Sequence, residues 1–333
     1  MQERITDQTS FEAVRDIVAA GNEPIVQFSK PIYTPRLLEE LNDLTKTYGS
    51  KLQIRFFGHY GSKFDFSNLS YLPNVSNLAV DCLMDAENIQ CIKVLNDLRY
   101  LSLGVYNGIP SDILDYENLR SLEGISISES KIASLDIGQI SKMEHLKRAH
   151  ISGFSKNLSS IGGLESLESL SLSQMKKGTS LGFISEIISL KSLAVFLGGR
   201  ESMEEVRSET VRELSVVRVR GLSELPLGNF PALEKLLIED QIKLSRLDLT
   251  NNKSVGSIII INCKTLSDLI GLNGLRLLQQ LRVSRTSLGI DSLIFQPLPE
   301  GLKIFAFYTG SNPKDKAIRE KLDSLGYVEF GNL

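Results

Sequence analysis

Residues 164–172 read LESLESLSL, with leucines at 164, 167, 170 and 172. That spacing of three, three and two recurs along nearly the whole chain, and its last two members, two residues apart, mark a short strand with one face turned inward. The inward pairs run Ile54/Phe56, Leu78/Val80, Leu101/Leu103, Ile125/Ile127, Ala149/Ile151 and Leu170/Leu172. They continue as Leu193/Val195, Val217/Val219, Leu236/Ile238, Ile258/Ile260, Leu281/Val283 and Phe305/Phe307. Steps are mostly 22 to 24 residues, the shortest 19. A period in this range belongs to stacked repeats that bury a continuous core between neighbours, so 333 residues need not mean two domains.

The fullest repeats are IGGLESLESLSLS (161–173) and LIGLNGLRLLQQLRVS (269–284). On these residues the chain resembles the leucine-rich repeat family, in an irregular, bacterial-type form, over residues 51–310. The resemblance implies an α/β fold: a leucine-rich repeat solenoid, curved as a horseshoe, with a concave parallel sheet of about 12–13 strands and short helices or turns on the convex side. The family's asparagine, three residues after the last strand leucine, is mostly replaced here, by Leu83, Tyr106, Ser130, Phe154, Met175, Gly198, Leu222, Gln241, Cys263 and Thr286. Cys263 is the substitute the family accepts; the other replacements imply irregular turns. Leu244, Leu247 and Leu249 fall midway between two strands and predict an extra strand on the convex side.

Both ends read as caps. In residues 1–50, Thr9 and Glu12 form a capping box before a helix stopped by Gly21, IVQF (25–28) reads as a strand, and Thr34-Pro35 opens a second helix. In residues 311–333, Asn312-Pro313 opens a helix, Gly326 stops it, and YVEF (327–330) reads as a closing strand. One continuous structural domain is expected, with no separate catalytic part.

Little chemistry is expected. The charge of −3 gives no global pull toward nucleic acid or anionic membrane. No apolar run is long enough to span a bilayer, and the charged N-terminus lacks a signal-peptide core, so a cytoplasmic location is expected. Nucleotide loops, GxSxG and HExxH are absent from the sequence. His59, His145 and His150 read as ordinary surface histidines, and Cys82 and Cys91 as packing residues. No enzyme activity, metal or cofactor is expected.

What remains is the outward side of the strands. Alternation places Arg218, Arg220, Leu237, Glu239, Ile259, Ile261, Arg282 and Tyr308 there, a cluster of apolar anchors with arginines and a tyrosine that matches interaction hot spots. A smaller cluster is Phe57, His59, Asp81 and Tyr106. The expected function is therefore a non-enzymatic module binding a protein partner on its concave sheet, with a bacterial adaptor or toxin-neutralising immunity protein as the narrower roles. The alternatives are nucleic-acid binding through Arg148, Arg218, Arg220, Arg282 and Arg285, or a secreted or cell-surface binding protein. An exposed apolar patch can also pair with its own copy.

Overall fold

The structure, a computed structural model, describes residues 11–59, 61–107, 109–128, 135–295 and 297–329. It divides into two compact units, residues 1–167 and 168–333.

In the first unit, helix α1 (Glu12–Ala19) ends before Gly21, which takes φ +80°, and strand β1 (Ile25–Phe28) follows. Helix α2 (Pro35–Tyr48) starts at Thr34, whose hydroxyl accepts from the Leu37 amide at 3.3 Å. Proline at the first helical position loses nothing there, because that amide has no intrahelical partner. α2 buries Leu37, Leu38, Leu41 and Leu44. Thr9 of the expected capping box lies outside the described residues.

Strands β2 (Gln53–Phe57), β3 (Phe64–Asp65), β4 (Asn77–Glu87), β5 (Tyr100–Asn107), β6 (Gly124–Ser128) and β7 (Arg148–Ser152) complete the unit. They pair parallel in the order β1-β2-β4-β5-β6-β7, with β3 beside the far end of β4. β4 is twice the usual length because a bulge between Val80 and Leu83 lets it rejoin β5 at Leu83↔Val105. From β3 onward the connections run through 3₁₀ turns that bury their own apolar residues, such as Ile89 and Ile92 or Ile137 and Ile140.

The second unit holds β8 (Ser169–Ser173), β9 (Ser192–Phe196), β10 (Glu213–Val217), β11 (Lys235–Glu239), β12 (Arg246–Asp248), β13 (Ser257–Ile261), β14 (Asp268–Ile270), β15 (Gln280–Ser284) and β16 (Ile304–Tyr308). The main ladder is β8-β9-β10-β11-β13-β15-β16, parallel throughout. The expected extra strand exists: β12 pairs β14 as a separate two-stranded sheet. Its tight turn explains Gly271 at φ +83°, where a Cβ would come within 2.5 Å of the Thr250 backbone nitrogen.

Helix α3 (Ile290–Phe295) precedes β16, and helix α4 (Asn312–Ser324) ends before Gly326 at φ +87°. The closing strand reduces to a single bridge, Ile304↔Val328, and Phe330 lies outside the described residues. Arg319 on α4 donates to the Tyr327 carbonyl at 2.7 Å and the Phe305 carbonyl at 3.4 Å, so the free edge of β16 is partly satisfied from within.

Sequential parallel strands, one per repeat of about two dozen residues and joined by short turns, make each unit a leucine-rich repeat stack. Every expected inward pair is buried on a strand except one. On β10 the inward pair is Leu214/Val216, not Val217/Val219, since Leu214 aligns with Leu193 and Leu236.

Candidate binding face

Along the second unit the strands alternate. Leu214, Val216, Leu236, Ile238, Ile258 and Ile260 are buried, and the residues between them are half-buried on the opposite side. Register aligns Ala194, Ser215, Leu237, Ile259, Arg282 and Ala306 in one row. The next row reads Phe196, Val217, Glu239, Ile261, Ser284 and Tyr308. With strands about 4.8 Å apart, these side chains form one continuous patch.

Six expected residues (Leu237, Glu239, Ile259, Ile261, Arg282 and Tyr308) therefore stand together. Arg218 and Arg220 do not. Ser215 and Val217 occupy their places in the rows, and Val217 adds an aliphatic side chain where the sequence suggested a cation. The stretch SVVRVR alternates in two frames, Val217/Val219 inward or Leu214/Val216 inward. Step length held the deciding signal: Leu214 lies 21 residues after Leu193 and 22 before Leu236, whereas Val217 leaves steps of 24 and 19.

Arg218 instead begins the turn after β10. It adopts φ +55°, its amide donates to the Glu239 carbonyl at 3.0 Å, and its Nε donates to Asp240 Oδ2 at 2.7 Å. Left-handed residues recur at this place in Leu197, Asp240, Asn262 and Arg285, each amide reaching the last carbonyl of the next strand at 2.7–2.9 Å. A non-glycine residue there costs about 1–3 kcal/mol, which the interstrand hydrogen bond offsets. Asp240 also accepts from the Asn262 amide, and together the Arg218 guanidinium and that amide hold its carboxyl below the usual range. Leu197, 40% exposed beside Phe196, extends the apolar rows.

One residue further on is the position where the family places asparagine. Here it is mostly apolar and often buried, filled by Leu83 and Phe154 in the first unit and by Met175, Val219, Gln241 and Cys263 in the second, while Tyr106 is exposed and Gly198 and Thr286 are half-buried. The corrected strand puts Val219 there rather than Leu222. Gln241 performs the bonding, donating to the carbonyls of Glu239 at 2.8 Å and Val216 at 3.3 Å. Cys263 offers a weaker donor to Ile261 at 3.4 Å, and burial pushes its thiol up to about 11, far from reactive. The opposite turns carry asparagines after all. The buried Asn252 amide donates to Leu227 and Phe230 at 2.9 and 2.8 Å, and Asn229 reaches Val206 at 3.0 Å. The bonds that tie turn to turn are thus present, from residues the family pattern did not point to.

The charges beside the rows are largely matched within the chain. Lys191 pairs with Glu168 at 2.7 Å, Arg212 with Glu234 at 2.7 Å and Lys235 with Glu213 at 2.8 Å, all at the strand entries. With the Gln280 side-chain amide turned to suit its neighbours, its oxygen accepts from Arg282 Nε at 2.6 Å and Nη2 at 3.2 Å, while its nitrogen donates to Ser257 Oγ at 3.0 Å.

The smaller cluster of the first unit is differently built. Arg55 grips Asp81 Oδ1 through Nη2 at 2.8 Å and Nε at 3.0 Å, and lies 4.7 Å from the Phe57 ring centroid. Tyr106 is exposed. His59 is no surface histidine. It is 2% exposed, its Nδ1 lies 3.0 Å from the Phe57 carbonyl, and its Nε2 lies 3.3 Å from the Tyr33 hydroxyl. Tyr33 packs against Phe28, Phe56 and Phe64, and His59 against Tyr33 and Phe64, and burial lowers the imidazole pKa while raising the phenol to about 12. Cys82 is not a packing residue either: it is exposed, at φ +54° in the β4 bulge. Burial lowers the pKa of His150 as well.

No protein-family model and no curated protein matches this sequence. Solved structures resemble it at low identity. An internalin, InlF, from Listeria monocytogenes is 16% identical over 86% of this chain and 73% of its own, with a TM-score of 0.47. The Toll–Spatzle complex of Drosophila gives 12% identity over 85% and 47%, with a TM-score of 0.43. The mouse RP105/MD-1 complex gives 15% over 86% and 55%, with a TM-score of 0.44.

Proposed function

We propose that this chain is a non-enzymatic module that binds a protein partner on the outward rows of its second unit. The observation that carries this reading is the run Phe196, Val217, Leu237, Ile259 and Ile261, half-buried aliphatic and aromatic side chains on adjacent strands where a solvated face would carry polar ones. A parallel sheet holds these groups in place before binding, so little ordering entropy is lost on docking. Within this reading the narrower roles are a cytoplasmic bacterial adaptor or a toxin-neutralising immunity protein.

Nucleic-acid binding is disfavoured by where the arginines fall. Arg148 belongs to the other unit, 5.8 Å from the Tyr100 ring, Arg218 is engaged by Asp240, and Glu239 stands inside the patch.

The test is affinity capture from the source cell, followed by direct titration of each captured protein after purification. Ile259→Asp combined with Ile261→Asp, shown to be folded, should weaken binding by about a hundredfold or more, as expected for two central anchors. Equal affinity of the folded variant would move the site off this face.

A further inference from the structure

Glu239 is the one charged side chain of the two rows without a hydrogen bond or ion pair to another described residue. Its cross-strand neighbours in register are Val217 and Ile261, and Leu237 precedes it by two on its own strand, facing the same way. Arg218 lies near enough to feel the Glu239 charge, but its guanidinium makes its hydrogen bond and close ion pair with Asp240. Any partner that covers these aliphatic residues must also cover the carboxylate among them. Removing an ionised carboxylate from water without a counter-charge costs several kcal/mol, enough to cancel the gain from the surrounding apolar contact.

From this we infer that the partner inserts a lysine or arginine side chain, flanked by aliphatic or aromatic residues, against Glu239, and that Glu239 sets which partners are accepted. The inference rests on the docking reading above. The rest of the nearby charge leaves little for an acidic partner to use: Arg282 is held by the Gln280 amide, and the lysine of β11 by Glu213. A cation carried on an apolar surface complements both features of the patch. Salt will weaken such binding only mildly, because the pair is closed off from water.

The experiment is selection of a random-peptide phage library on the immobilised full chain. Binders are retained if they compete with one another and are lost on the folded Ile259→Asp variant. Retained peptides should be enriched in Lys or Arg beside aliphatic or aromatic residues. Glu239→Gln should weaken them about tenfold or more, and Glu239→Lys should restore binding to peptides whose cation is changed to Glu. Binders that need Ile259 yet carry no cation and ignore Glu239→Gln overturn this inference and leave the docking face standing. If no binder depends on Ile259, both fall.

Discussion

At the scale of single residues, His59 shows how a polar group is buried in an aliphatic and aromatic core. With Nδ1 donating to the Phe57 carbonyl, Nε2 is free to accept from the Tyr33 hydroxyl, which fixes a neutral tautomer. A second ring proton would have to replace that accepted bond in a site where burial already disfavours charge. The folded pKa lies below the ordinary 6.5, so the unfolded chain takes up the proton first as pH falls. Stability is therefore fully present above about pH 6.5 and declines as pH falls through the folded value. His150 adds a slope of the same sign. His59→Asn keeps a residue tolerant of φ +48° but removes one titration. Denaturant midpoints measured above the carboxylate range should show a lower plateau for this variant and a shallower loss on acidification. A slope equal to that of the unaltered protein would mean His59 is not held neutral.

At the scale of the strand and its turn, most of this fold was legible because aliphatic residues two apart have few alternative uses. Leu101/Leu103 or Leu170/Leu172 could only be read one way. The 213–220 segment can be read in two frames, and even spacing to Leu193 and Leu236 favours the one the structure adopts. The turn bonds were less legible, since Gln241 and Asn252 act through buried amide geometry that no residue pattern displays. Two of the eight expected site residues, Arg218 and Arg220, leave the rows with the misplaced strand, and Val217 takes a place there for the same reason; Leu197 lies in a turn, outside the strand alternation. Aspartate substitutions test the register directly. Val216→Asp places a carboxylate at a fully buried position and should cost several kcal/mol, whereas Val217→Asp, on the half-buried outward row, should cost about 1 kcal/mol or less. Thermal unfolding of the two variants settles the frame, and the reverse order would reinstate the register suggested by the arginines.

At the scale of the whole molecule, stacking makes stability local. Within each unit a described strand of the ladder pairs only with its neighbours, so the loss of one repeat's core need not reach every repeat at once. Leu236 is 2% exposed and lies in register between Leu214 and Ile258. Leu236→Asp buries an unpaired carboxylate at a cost of several kcal/mol, a large share of the 5–15 kcal/mol typical of a domain. In a globular core that penalty would lower protection everywhere. Here amide exchange should accelerate first in residues 213–261, the strands on either side of the substitution, while β1 to β5 keep their protection. The centre of the outward rows, Val217, Leu237, Ile259 and Ile261, lies within that same span, so partner binding should vanish before global unfolding is detectable. Uniform loss of protection along the chain would instead mean that the repeats unfold as one cooperative body.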